Sequence, residues 1–321
     1  MKLWSFVKNS GHKSITANGT GKKLKYSTSQ LLNFTQDSYL DRTSRPIYAV
    51  IFLLPFIAFY ELGTFYINTD ILNQSQIRVV AFVWLQHMLE SLGFGGKFAW
   101  VAPPLAVIII LLSLQISSGK QWYFWPGDIV PMAVECILLA VPLIVLTMLL
   151  SSVGSQSDFS RFENSRLYQQ AMTLPSCSSV QDYNSQSSGY EADASGRNHL
   201  LLANIVTGIG AGIYEELVFR LILICILMLL FQDVLKLNHE KAIILSVLIS
   251  AALFSAHHHV DLLSGRTNIV DPFDWTRFAF RTIAGVYFAI LYAIRGFGIT
   301  AGTHAFYNII AVSITAFFFT N

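Results

Sequence analysis

The chain has 321 residues, of which 53% are hydrophobic and only 12% charged, with a formal net charge of +2 and a mean hydropathy of +0.51. Soluble domains carry about 25% charged residues, so the composition is that of an integral membrane protein. The near-neutral balance, with no basic stripe interleaved with aromatics, excludes a nucleic-acid partner. Cys136 and Cys225 fall in apolar runs and Cys177 in a polar one, so neither a disulfide framework nor a CxxC metal site is expected.

Residues 1–45 are polar and basic, with six Lys and two Arg against Asp37 and Asp41. No apolar h-region precedes Arg45, so this stretch does not read as a signal peptide. A basic cytoplasmic tail in reach of anionic lipid is expected instead. Apolar runs of spanning length follow near 46–67, 99–117, 129–153, 200–231, 242–258, 276–294 and 297–319, about 20 residues being needed to cross a bilayer. Residues 78–94 are apolar on one side but include Arg78, His87 and Glu90, which fits an interfacial helix or an eighth span. The fold class is therefore an all-α polytopic bundle of about seven or eight transmembrane helices.

Residues 154–198 are rich in Ser, Gln, Asn and Asp, the composition of a disordered loop. It divides the chain into the tail (1–45), a first set of spans (46–153), the loop, and a second set (199–321). The first set holds one clear intramembrane acid, Glu135, with Glu61 near a span end. The second set holds everything else that is ionisable at depth, so it is read as a catalytic core and the first as scaffold.

That core opens with Glu215-Glu216-Leu217-Val218-Phe219-Arg220 inside an apolar run. An ionisable group at bilayer depth costs on the order of 3 kcal/mol on insertion scales and is functional by default. Glu216 and Arg220 are four apart and can pair on a helix, which leaves Glu215, rotated about 100° away, for chemistry. The bland alternative is an ion-pair network that only fixes helix packing. Downstream, His257-His258-His259 closes one run, and His304 and Asn308 share a face of another. A His cluster at a span end is often interfacial, with Asp261 as a surface partner of His257, and a His/Asn pair can be interhelical glue. Regular spans would also put His258 and His304 about 14 Å apart in depth. A kink is required, and the Gly208, Gly210, Gly212 series and Gly296-Phe297-Gly298 offer places for one.

Taken in order, Glu215-Glu216-x-x-x-Arg220, Phe254-x-x-x-His258 and His304-x-x-x-Asn308 resemble the motif set of the CPBP family, intramembrane proteases that include the type II CAAX prenyl endopeptidases. The resemblance covers about residues 200–312, with Gly285–Arg295 similar to the helix before the third motif. It implies an endopeptidase acting on a membrane-associated protein or peptide. Glu215 would be general base on the hydrolytic water, helped by His258. His304 and Asn308 would stabilise the oxyanion or position the water, with Glu216 and Arg220 as support. No cofactor is assumed. Zinc held by Glu215, His258 and His304 is the alternative, although no HExxH helix is present. His257 and His259 are extra to the pattern and receive no role from it. Two other functions share these residues: a non-catalytic scaffold or immunity protein, and a proton- or metal-coupled transporter. Transporters commonly show matched broken helices in two halves, whereas the polar residues here lie in one.

Overall fold

The computed structural model describes residues 35, 37–70, 79–94, 99–153, 194–260 and 273–318. Among these, nine helices form the fold: α1 (Tyr39–Thr43), α2 (Pro46–Asp70), α3 (Val80–Ser91), α4 (Ala102–Ser118), α5 (Ile129–Val153), α6 starting at Ala194, α7 (His239–His259), α8 (Trp275–Arg295) and α9 (Phe297–Phe318). The fold is all-α. Six helices are long and apolar enough to cross a membrane, and α4 is a shorter apolar one. With α3, which buries Ala81, Phe82 and Leu85 but is too short to span, the bundle has the expected seven or eight members. Within the 78–94 region Val80–Ser91 is thus a packed short helix, and Arg78 lies outside the described residues. Most of the polar 154–198 stretch and Asp261 lie outside the described residues, and α6 already begins at Ala194.

Helix limits follow local chemistry. Proline stands in the first turn of α4, where its missing N–H costs nothing. Gly119 ends the same helix with φ of 61°. Ser38 and Asp274 cap α1 and α8 by accepting from the backbone N–H groups of Asp41 and Arg277. Gly296, with φ of 77°, alone separates α8 from α9, a sharp reversal for which its lack of Cβ suits it.

α9 packs along α6 and α5, α2 along α6, and α7 along α8. Glycines set the closest approach, since a Cβ on Gly212 would come within 2.5 Å of the Ala305 backbone nitrogen and one on Gly208 within 2.9 Å of the Asn308 Cβ. Small residues at crossing points are how membrane helices gain van der Waals contact without a hydrophobic drive. The Gly208–Gly212 series is therefore a contact stripe. The irregularity in α6 comes later, where Ala194–Glu216 passes into the π-helical segment Leu217–Leu223, then Ile224–Leu229 and a second π segment, Leu230–Val234.

The last residues of the basic tail belong to the bundle. Asp41, Thr43 and Arg45 are buried, and Arg42 pairs with Asp128 at 2.9 Å. Arg295, at the end of α8, holds Glu135 at 2.8 Å, and the same carboxylate accepts from the Tyr39 hydroxyl at 2.7 Å. Arg295 also donates to Thr43 Oγ1 at 2.8 Å and to the Leu40 carbonyl at 3.0 Å. Glu135, the intramembrane acid of the first half, is thus a structural tie between α1, α5 and the α8–α9 reversal. Burial pushes the Asp41 carboxyl up, but the Arg45 hydrogen bond and the charges of Lys120 and Arg45 outweigh it and hold Asp41 below its ordinary value.

Candidate active site

Glu215 and Glu216 close the regular part of α6, and the π segment begins at the next residue. A π turn widens the helix by one residue and is frequent at functional sites. Across that junction Arg220 Nε lies 3.1 Å from Glu216 Oε2. Both side chains have no exposed surface. The contact is an ion pair whose angle is not that of a hydrogen bond. The guanidinium is held further by the Phe254 ring, 4.1 Å from its carbon, and donates to the Gly285 carbonyl at 3.4 Å.

Glu216 has a second partner 88 residues away. His304 Nδ1 lies 2.8 Å from Glu216 Oε1, and the imidazole stacks on Phe288 with ring centres 4.5 Å apart. Because a carboxylate accepts, Nδ1 carries the proton. Nε2 is then the atom presented to Glu215, 3.9 Å from its Oε2. Glu216 therefore orients His304 as well as pairing with Arg220. An acid near His304 was not visible within its own span, and it comes from α6.

The α7 histidines diverge, as three consecutive helical residues must. His257 Nδ1 donates to the Phe254 carbonyl, which turns its Nε2 to within 3.6 Å of Glu215 Oε1. His258, the motif histidine, lies beside it, with Nδ1 3.0 Å from the same carbonyl and 3.1 Å from His257 Nδ1. His259 points away, 3.3 Å from Arg281 of α8. The carboxylate of Glu215 thus stands between imidazoles of α7 and α9, one at each oxygen. Glu215 links α7 to α9. Asn308 lies one turn beyond His304, where its Nδ2 donates to the Gly208 carbonyl at 2.9 Å. That amide ties α9 to α6, with its nitrogen on the Gly208 carbonyl and not on Glu215.

The first half of the chain also reaches the site. Trp84 of α3 meets the His257 ring edge-on at 5.8 Å and Phe219 at 6.2 Å. Phe82 of the same helix meets Tyr214 at 5.0 Å, and the Tyr214 hydroxyl donates to Glu61 at 3.2 Å. Helices α2 and α3 therefore brace the turn that carries the paired acids.

The ligand atoms of Glu215, His257 and His258 lie within 4.8 Å of one another. Tetrahedral zinc with bonds of about 2.0–2.1 Å needs its ligands closer, roughly 3.3 Å apart, so a small inward movement of these side chains would seat a divalent cation. This set exchanges His304 of the sequence-based trio for His257, because His304 is held on the far oxygen by Glu216. The donor chemistry fits a metal, and it equally fits a carboxylate and imidazoles around a water.

A bundle of apolar helices enclosing a buried Glu–Glu–Arg–His constellation defines the class as an integral membrane protein with a hydrolase-type polar core. Residues 197–310 match the model of the family described as Type II CAAX prenyl endopeptidase Rce1-like, so this part of the chain is similar to that family. No curated protein and no solved structure matches the chain.

Proposed function

We propose that the protein is an intramembrane endopeptidase that hydrolyses a peptide bond of a membrane-associated protein or peptide with a water activated by Glu215. The observation that carries this reading is the placement of the Glu215 carboxylate 3.6 and 3.9 Å from imidazole nitrogens on two other helices, each ring anchored through its Nδ1. A purely structural ion-pair network is already complete in Glu216 and Arg220 and leaves the second acid without a task.

In the proposed reaction Glu215 takes a proton from water while the water oxygen bonds to the scissile carbonyl carbon. The tetrahedral intermediate then collapses, the C–N bond breaks, and Glu215 returns the proton to the departing amine. His258 assists by its motif position, and its ring lies beside Glu215. His304 Nε2 and the second N–H of the Asn308 amide are the groups assigned to the water or oxyanion, as in other water-excluded sites. Glu216 and Arg220 keep His304 in place. A metal ion bound by Glu215, His257 and His258 would supply Lewis-acid polarisation of the water or carbonyl, with the same outcome for the peptide bond.

Arg42 pairs with Asp128, Arg45 and Lys120 with Asp41, and Arg295 with Glu135, and basic residues favour the cytoplasmic face. We assign the end of the bundle that carries the N-terminal tail to that face. The test of function is turnover of membrane-anchored peptides by the purified protein in liposomes, alongside Glu215→Gln. Hydrolysis by the first and none by the second is expected, and equal rates would remove the catalytic assignment.

A further inference from the structure

Glu215 has two unequal flanks. On the Oε2 side stand His304, Glu216, Arg220 and Phe288, which are 3%, 0%, 0% and 1% exposed, a packed wall among the described residues. On the Oε1 side stands His257, enclosed by aromatic rings: Phe219 at 4.8 Å, Phe254 at 5.4 Å and Trp84 at 5.8 Å. Two of these rings are buried, whereas Trp84 and the adjacent His258 are only half-buried. This is the flank that borders the outside of the bundle.

The hydrogen-bond chemistry of that flank is specific. His257 Nδ1 is committed as donor to the Phe254 carbonyl, so in the neutral ring Nε2 is an acceptor. It lies 3.6 Å from Glu215 Oε1, which also accepts. A water lying between these two acceptors can donate one hydrogen to each, with its oxygen about 2.8 Å from both. Such a water keeps a lone pair directed away from both groups, the orientation needed for attack on a carbonyl carbon.

We propose that His257, which lies outside the three-motif pattern, is a catalytic residue that holds the attacking water together with Glu215, and that Trp84 positions its ring. This rests on the endopeptidase reading and specifies from which flank the peptide is attacked. Trp84 belongs to α3, far from the matched segment, so the site is completed by a helix of the first half. One turn on from Trp84, Met88 is exposed.

The experiment compares His257→Phe, Trp84→Ala and Trp84→Phe with wild type and Glu215→Gln in liposomes, measuring kcat and KM on one membrane-anchored peptide. Phenylalanine at 257 keeps the aromatic packing and removes Nε2. The expected fall in kcat is about 100-fold, with KM little changed, as for a misplaced reacting group. Trp84→Ala should lower kcat about 10-fold and speed carbethoxylation of His257, read by peptide mass spectrometry, while Trp84→Phe recovers most of both. A merely structural Trp84 would change the yield of folded protein and leave kcat per folded molecule untouched. If His257→Phe turns over at the wild-type rate while Glu215→Gln is inactive, the flank assignment is overturned and the endopeptidase reading stands. If Glu215→Gln is itself active, both fall.

Discussion

Arg220→Met tests how the buried charges hold one another. The side chain has no exposed surface. Its guanidinium is 3.1 Å from Glu216 and 4.1 Å from the Phe254 ring centre. Methionine retains much of the length and the packing on Phe254 but leaves Glu216 with His304 as its partner. Removing one member of a buried ion pair costs about 3–5 kcal/mol, chiefly because the remaining charge stays buried and uncompensated. At about 1.4 kcal/mol per factor of ten, that is a rise of roughly 10²–10⁴ in the unfolding constant. SDS titration of the protein in mixed micelles, followed by tryptophan fluorescence, reads this directly. The double variant Glu216→Gln/Arg220→Met removes both charges and should recover most of the lost stability, since no uncompensated charge is then left buried. It should not recover activity, because His304 Nδ1 then donates to a neutral amide and its orientation is less firmly held. Wild-type stability of Arg220→Met would refute the reasoning, as would a double variant no more stable than the single one.

Gly212→Ala sets a Cβ 2.5 Å from the Ala305 nitrogen, beside His304. It should separate α6 from α9 at a cost of about 1–3 kcal/mol, seen as a lower SDS midpoint and a larger loss of kcat than any other glycine-to-alanine change tested on α6. Asp41→Asn should destabilise the bundle by about 1–3 kcal/mol at neutral pH. Since the folded carboxyl is held below its ordinary value, Asp41 contributes stability above the unfolded pKa of about 3.9 and loses it as pH falls through the folded value. The gap between variant and wild type in SDS titrations should therefore close only under strongly acidic conditions, and a constant gap would contradict the pairing. Dialysis against a chelator should leave peptide turnover unchanged if Glu215 works on water alone. Loss of turnover restored by stoichiometric zinc would instead seat a metal on Glu215, His257 and His258.

The paired acids, Arg220 and the two downstream histidine motifs were legible because ionisable residues stand out in apolar runs and because i,i+4 spacing has one helical meaning. The number of helices was legible for the same reason that hydropathy works at all: a span needs a fixed length of apolar chain. What remained hidden depends on contacts between distant residues. Which of three consecutive histidines turns inward is set by how α7 packs on α8 and by the Phe254 carbonyl, not by spacing. The Glu216–His304 bond joins residues on different helices, so a search of the span around His304 could not find it. Residues 39–45 read as tail because their partners, Asp128, Glu135 and Arg295, are remote in sequence. The mixed composition of 78–94 was the one sign that α3 is neither span nor loop, and Trp84 followed from it only once the packing was known.

The most direct test of the central claim is hydrolysis in heavy-oxygen water. Purified wild type and Glu215→Gln are placed in liposomes with a membrane-anchored peptide, and the products are weighed by mass spectrometry. The wild type should release a fragment whose new carboxyl terminus carries one heavy oxygen, and Glu215→Gln, folded and inserted alike, should release none. Labelled product from Glu215→Gln at the wild-type rate would contradict that claim.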